Sequence, residues 1–495
     1  MLLQVVKRRD SLLTYTGRGV ALSIADLGLW QWFALLQHEL LLFAGIFFLI
    51  GAADDLAVDA LWLWLRATSR VTTPVRRRAA LINRPLHGPA AVVIPAWQEA
   101  AVIGDTISHL LASWPQTTLR LYVGCYRNDP ATLAAAAAAA KGDPRLRLVI
   151  HDRDGPSTKA DCLNRLYTAL ATDEARSGRR FAMVVFHDAE DMVDPAALGL
   201  LDESIAMGAD FVQLPVEPLV QRHGTWLANH LGSHYCEEFA EAHGKAMVVR
   251  DWLGAGLPGA GVGCAARRGA LERLAAEHGN GLPFASDSLT EDYELGLGIA
   301  AQGGRCRFVR TRGEDGRLVA TRAFFPDRLD HVVRQKSRWV LGIALQGWDR
   351  IGWAGGLLEG WMRARDRRGP LAALVLLTGY ALVVLTVLGG LAIISGVGEP
   401  VPLTPLLEFL LIANLAAFGW RAAMRFAFAA HEYGLIEGLR AVLRLPLANV
   451  VAIIAGRRAV FAYVGTLGGR AAGWDKTEHG VHPVRLGMPS GVQSR

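Results

Sequence analysis

Residues 371–397 read LAALVLLTGYALVVLTVLGGLAIISGV and carry no charged side chain. A bilayer core is crossed by roughly 20 apolar helical residues. Backbone inside it must close its hydrogen bonds within a helix or a barrel. This stretch therefore predicts a transmembrane helix around which the rest of the chain is organised. A second apolar segment, LTPLLEFLLIANLAAFGW (403–420), follows the turn GEPVP and contains Glu408. Arg363, Arg365, Arg367 and Arg368 precede the first segment, and Arg421 and Arg425 follow the second. Lys and Arg concentrate on the cytoplasmic side, so a hairpin with both ends cytoplasmic is expected over 371–430.

The N-terminal part repeats the theme. FALLQHELLLFAGIFFLIGAA (33–53) is long enough to cross, with His38 and Glu39 near one end. It begins too late and lacks the small-residue cleavage site of a secretory signal. DDLAVDALWLWLR, next in line, mixes acids with Leu and Trp and reads as an amphipathic interfacial helix. Arginines 66, 70, 76, 77, 78 and 84 then form a basic cluster with no acid. Near the other end, LPLANVVAIIAG is too short to span and is followed by Arg457 and Arg458. A re-entrant or interfacial helix is expected there. The mean hydropathy of +0.24 fits spans beside a globular domain. A net charge of +6 is too modest to imply nucleic-acid binding. The five cysteines (125, 162, 236, 264, 306) contain no CxxC pair and suit a reducing compartment.

The expected organisation is an N-terminal anchor with an interfacial helix (1–84), a cytoplasmic domain (85–345) and an interfacial helix (346–370). The transmembrane hairpin (371–430), re-entrant or interfacial helices (431–470) and a tail (471–495) follow. Within 85–345, AAVVIPAW, LRLYVGCY, LRLVIH and FAMVVF read as short buried strands separated by helical stretches. That alternation predicts a parallel sheet covered on both faces. Ligands of such sheets bind outside the carboxyl ends of the strands.

The polar signals fall at those ends. FHDAEDMVD (186–194) places Asp188, Glu190 and Asp191 directly after a strand. Hard divalent ions such as magnesium take one or two carboxylates plus substrate phosphates. Asn128 and Asp129 follow another strand, and Lys159 stands near a helix start, where phosphate groups bind well. In SLTEDYELG, Ser288 and Glu291 have capping-box spacing, so Glu291 and Asp292 are read either as helix caps or as a buried general base. For a base, desolvation has to outweigh the helix dipole. Gln335, Arg338 and Trp339 share one helical face; arginine suits a diphosphate, and tryptophan offers either a flat surface to a sugar or an interface anchor.

In order, VVIPAWQEA, HDAED, LTED and RQKSRW resemble a processive-type membrane glycosyltransferase of family 2, the pattern shared by cellulose, chitin and hyaluronan synthases. VGCYRNDPAT, GPSTKADCLN, FAEAHGK, AGVGCAARR, FFPD, VRQKSRWVLGI and WDKTEH add a closer resemblance to the glycosyltransferase part of the phage-adsorption protein B (NfrB-like) group. The resemblance implies an α/β GT-A nucleotide-diphospho-sugar transferase domain flanked by transmembrane and interfacial α-helices. Pro95 to Glu99 would cradle the base, with Trp97 as its aromatic, and Asp129 would help. Asp188 and Glu190 stand at the DxD positions and would hold Mg or Mn; the glutamate departs from the wider family and leaves Glu190 and Asp191 both open as ligand. Asp292 would be the general base, and Gln335, Arg338 and Trp339 would bind donor diphosphate and acceptor end.

The implied reaction is an inverting transfer from a nucleotide-diphosphate donor, UDP-linked, to a growing envelope polysaccharide at the bacterial inner membrane. Other envelope export proteins are expected as partners. Glu291, Glu237 and Glu241 are assigned to the acceptor side, although HYCEEFAEAHGKAM reads equally as an exposed acidic helix. GAGVGCAARR is expected to be a tight acceptor-side loop. Larger members carry a nucleotide-sensing domain after the transferase, which this sequence is expected to lack. The competing reading is a catalytically weak envelope scaffold or phage-receptor component that retains nucleotide binding. A phosphohydrolase would want further metal ligands, and a transporter more spans.

Overall fold

The computed structural model describes residues 28–222, 224–353, 355–400, 402–469 and 481–487. The WDKTEH motif lies outside the described residues. The chain divides into two compact units, one reaching to Ala53 and including Val375–Gly419, the other comprising Asp54–Leu374 and the chain from Trp420 onward.

Among the described residues, four helices are long and apolar enough to cross a membrane: Leu29–Ala67, Gly369–Ile394, Pro405–Tyr433 and Leu445–Leu467. In the smaller unit, Gly45 lets Leu410 approach closely, and Asn414 Nδ2 donates to Gly45 O at 2.9 Å. Gln37 Nε2 donates to Thr386 Oγ1 at 3.1 Å.

The helix limits refine this organisation at two places. The anchor and the amphipathic segment after it form one uninterrupted helix of 39 residues. From Asp54 onward its acids are spent within the larger unit: Asp54 and Asp55 pair with Arg365, Arg368 and Asp55 also with Arg421. Trp361 and Trp420 donate to Asp54 and Asp59. Residues 445–467 are likewise one continuous helix running through Arg457 and Arg458, with no re-entrant break. Val451, Ala455 and Ala459 are buried along it.

The core of the larger unit is a seven-stranded sheet. Its strands are β1 (Ala90–Pro95), β2 (Leu119–Tyr126), β3 (Leu146–His151), β4 (Met183–Phe186), β5 (Phe211–Gln213), β6 (Cys264–Arg267) and β7 (Cys306–Phe308), in the order β3-β2-β1-β4-β6-β5-β7. The strands from β1 to β4 pair in parallel. Successive β1 side chains alternate between faces. Ala90, Val92 and Ile94 join one apolar cluster with the helix Ile103–Ser113, and Ala91 and Val93 join another with the helix Lys159–Ser177. Both faces are therefore covered.

The all-parallel expectation needs one correction. β6 runs antiparallel between β4 and β5. GAGVGCAARR is thus not simply a loop: its CAAR half is a central strand, and its glycine half leads into it. Gly261 and Gly263 have φ of 78° and 61°, a conformation that favours glycine.

Candidate active site

Three parallel strands deliver their carboxyl ends to one place. Pro95 to Glu99 follow β1, Tyr126 to Asp129 follow β2 and His187 to Asp191 follow β4. Two helices complete the wall. Glu291–Ala301 brings Glu291 and Asp292 in its first turn, and Leu329–Trp339 brings Gln335, Arg338 and Trp339 in its last. Pro95, Trp97, Glu99, Lys159, Asp188, Glu190, Asp191, Glu291, Asp292, Gln335, Arg338 and Trp339 line a single cavity of about 160 Å³.

That volume is below the roughly 300–1,000 Å³ of ordinary ligand pockets, because the site's own charges fill it. Lys159 Nζ lies 2.6 Å from Asp188 Oδ1 and 3.6 Å from Glu291 Oε1. Burial works against the ammonium, but Asp188, Glu291 and Asp292 outweigh it and hold Lys159 firmly protonated. Burial raises the pKa values of Glu291 and Asp292, against the pull of Lys159. The helix dipole does not win at Asp292, and its carboxylate is held in a state that favours taking up a proton. Asp292 Oδ1 accepts from the Tyr293 backbone N–H at 2.7 Å.

The capping-box reading of Glu291 does not hold. Ser288 Oγ donates instead to Glu294 at 2.7 Å, and Glu291 is buried facing Lys159. Arg338 Nε and Gln335 Oε1 are buried polar atoms with no hydrogen-bond partner among the described residues. Trp339 lines the cavity while packing against Tyr235 and Phe239, with ring centroids 6.0 and 6.5 Å away. Trp97 packs edge-on to Tyr126 at 5.0 Å.

The loop after β4 is fixed by donors from distant parts of the chain. Asp191 Oδ2 accepts from His187 Nδ1 at 2.8 Å and from the Asp188 N–H at 3.0 Å, so this carboxylate shapes the turn. The helix Ile103–Ser113 and the residue after it supply Thr106 to Ala189 O, His109 to Val193 O and Trp114 to Asp194 O. His482, fully buried, donates through Nε2 to Asp191 O at 3.2 Å, its Nδ1 being taken by the Val484 N–H. Arg78 closes the loop's far end on Asp194 at 2.5 Å.

Among the described residues, no group of three or more His, Cys, Asp or Glu side chains is already arranged to hold an ion. The cavity is nevertheless rich in carboxylate oxygens, and a magnesium-type ion needs only one or two of them beside substrate phosphates. Asp188 and Glu190 fit that requirement. Asp191 fits it less well, because its Oδ2 is already committed to the turn.

Three expected residues are not brought to the cavity. Asp129 does not line it. Its carboxylate caps the helix Pro130–Ala140 through Thr132 N and accepts from Gln98 N at 2.5 Å, which shapes the cradle from behind. Glu237 is fully buried and paired with Arg444 at 2.8 Å, and Glu241 is paired with Lys245 at 2.7 Å. The helix does not present them as an exposed acidic face, because burial of a charge demands a partner. Sequence reasoning missed Gly261. A Cβ there would lie 2.6 Å from Asp292 Oδ2 and 3.1 Å from Lys159 Nζ, so the close approach needs glycine. The glycine-rich run before β6 was its only signal.

Residues 87–342, just over half of the chain, match the family described as glycosyltransferase like family 2. The chain belongs to this family. Its family 2 domain has the GT-A architecture, built on the mixed sheet described above and accompanied by helices able to span a membrane. Bacteriophage adsorption protein B of Escherichia coli strain K12 is 31% identical over 462 residues, covering 87% of this chain and 60% of the relative. Bacteriophage N4 adsorption protein B of Escherichia coli O157:H7 matches to the same extent. The chain thus spans about 60% of the length of the curated relatives it matches. Among solved structures, a mannosyltransferase from Pyrobaculum calidifontis in complex with GDP-Man and Mn2+ is similar at TM-score 0.49 and 18% identity, covering 83% of this chain and 99% of that one.

Proposed function

We propose that this family 2 protein transfers a sugar from a nucleoside-diphosphate donor to a growing envelope polysaccharide, with inversion, at the inner face of the bacterial inner membrane. The observation that carries the reading is the convergence of Asp188, Lys159, Asp292, Gln335 and Arg338 on one cavity at the carboxyl ends of the sheet.

The donor's base would rest in the Pro95–Glu99 cradle against Trp97. Its diphosphate would take the unpartnered Arg338 Nε, and Lys159 would exchange Asp188 for phosphate oxygens. A divalent ion held by Asp188 and Glu190 would supply positive charge beside the diphosphate. Asp292 would accept the proton of the acceptor hydroxyl as that oxygen forms its bond to the anomeric carbon. The bond to the diphosphate oxygen breaks in the same step, and its electron pair leaves with the nucleoside diphosphate. Fixed cations aimed at that developing charge need no reorganisation during the reaction. Trp339 and Glu291 would face the acceptor. The relation to bacteriophage adsorption protein B supports an envelope setting, in which other export proteins would take up the product.

The test is nucleoside diphosphate release by the detergent-purified protein, using UDP- and GDP-sugars with Mg2+ or Mn2+. Asp292→Asn is expected to lower release by about 10²–10⁴-fold, the usual contribution of a general base. Equal release from variant and wild type removes Asp292 from the base role. No release with any donor, together with tight nucleotide binding, favours the scaffold reading.

A further inference from the structure

The arginine cluster that follows the first apolar helix separates into two groups. Arg76 and Arg84 pair with Glu203, and Arg78 with Asp194. Arg66 and Arg70 turn elsewhere, into a cavity of about 1,190 Å³, far larger than the transferase site. Arg305, Arg307, Arg310 and Arg363 line the same cavity, against two lining carboxylates among the described residues, Asp251 and Glu359. Those two are already engaged: Arg307 lies 3.1 Å from Asp251 and Arg363 lies 2.8 Å from Glu359.

The remaining positive charge is poorly matched. Arg310 pairs with Glu432 at 2.5 Å, yet its Nε is buried without a hydrogen-bond partner among the described residues. Burial, and the neighbouring Arg312 and Arg66, press its guanidinium below the usual arginine range. Arg66 reaches only the Val71 carbonyl, at 3.5 Å, and Arg70 lies over the Trp64 ring at 4.4 Å. The guanidinium groups of Arg66, Arg70 and Arg305 have no carboxylate partner among the described residues.

Location narrows the ligand. One wall is the end of the helix Leu29–Ala67 with the chain to Pro74, and another is the end of the helix Pro405–Tyr433. Ends of membrane-crossing helices lie at headgroup level, where Trp is common and basic pockets meet anionic lipids. Trp62, Met424 and Phe428 add apolar surface beside the arginines. We propose that this cavity binds the phosphodiester headgroup of an anionic phospholipid, with Arg66, Arg70 and Arg305 as its cationic contacts. The site is separate from the transferase cavity and does not depend on its chemistry.

The test is native mass spectrometry of the full chain in detergent, titrated with dioleoylphosphatidylglycerol or dioleoylphosphatidylcholine. The wild type is expected to retain the anionic lipid about ten-fold better, because its guanidinium groups meet a net negative headgroup that the zwitterionic lipid lacks. The combined variant Arg66→Gln, Arg70→Gln, Arg305→Gln should retain both lipids equally, and the corresponding lysine variant should keep most of the preference. The three side chains are exposed, so folding should survive. Should the combined variant fail to fold, Arg305→Gln alone should still weaken the preference. Glycerol 1-phosphate at the same concentration should not displace the lipid. Equal retention of the two lipids by the wild type, a preference untouched by the substitutions, or displacement by glycerol 1-phosphate would overturn the proposal, the last by assigning the site to a soluble anion.

Discussion

Asp292 is charged in a place that disfavours charge. Burial raises its pKa, so the ionised form weakens the fold as pH rises from the ordinary value of 3.8 through the raised one. Removing the charge should therefore cost activity but not stability. Asp292→Asn is expected to melt at or above the wild-type temperature at pH 7.5, checked by differential scanning fluorimetry, while the acid limb of the wild-type rate profile lies above the normal carboxylate range. A lower melting temperature would mean that Asp292 holds the site together rather than being held by it. The candidate base was legible in the sequence because LTED combines acids with a helix start. Glu237 and Glu241 could be read as an exposed acidic face for a related reason. An acid-rich helix looks solvated or functional until its partners, Arg444 and Lys245, are known. Arg444 lies 207 residues from Glu237, beyond any local pattern.

At the scale of elements, β1 to β4 could be read from short apolar runs bounded by turn residues, and the structure places them where those runs lie. β5, β6 and β7 could not: they are three or four residues long, β6 emerges from a glycine-rich segment, and β5 is placed by pairing with β6. The carboxylate loop after β4 was equally plain, but its scaffold was not, since Thr106, His109, Trp114 and His482 reach it from outside. His482 is thus a positioning residue for that loop. His482→Ala should raise the Mn2+ concentration needed for half-maximal activity by several-fold with little change in kcat, and His482→Gln should restore part of the loss. Burial also lowers the pKa values of His109 and His482 from 6.5, keeping both neutral. For a lowered histidine, the stabilisation is full above the unfolded value and is lost as pH falls through the folded one. Metal affinity should therefore hold through pH 6.5 and weaken only as pH falls through the lowered folded value, and His482→Ala should flatten that dependence.

For the whole molecule, the uncharged 371–397 run and its neighbours announced helices able to cross a bilayer, because length and apolar composition are enough to specify them. The basic flank was harder to interpret. Arg365, Arg368 and Arg421 close on Asp54 and Asp55, so part of what reads as a topological signal is an internal ion-pair cluster. The central claim is also one of long-range assembly: in a single site, Asp188 and Arg338 would serve the metal and diphosphate, and Asp292 the proton transfer beside them. Electron paramagnetic resonance of Mn2+ with the full chain tests it most directly. Mn2+ alone should bind weakly, and UDP or GDP should tighten it by about ten-fold, within the usual range of coupling between ligands. Asp188→Asn should abolish that gain and Asp292→Asn should keep it. An Mn2+ affinity indifferent to nucleotide, or to Asp188→Asn, would contradict the account.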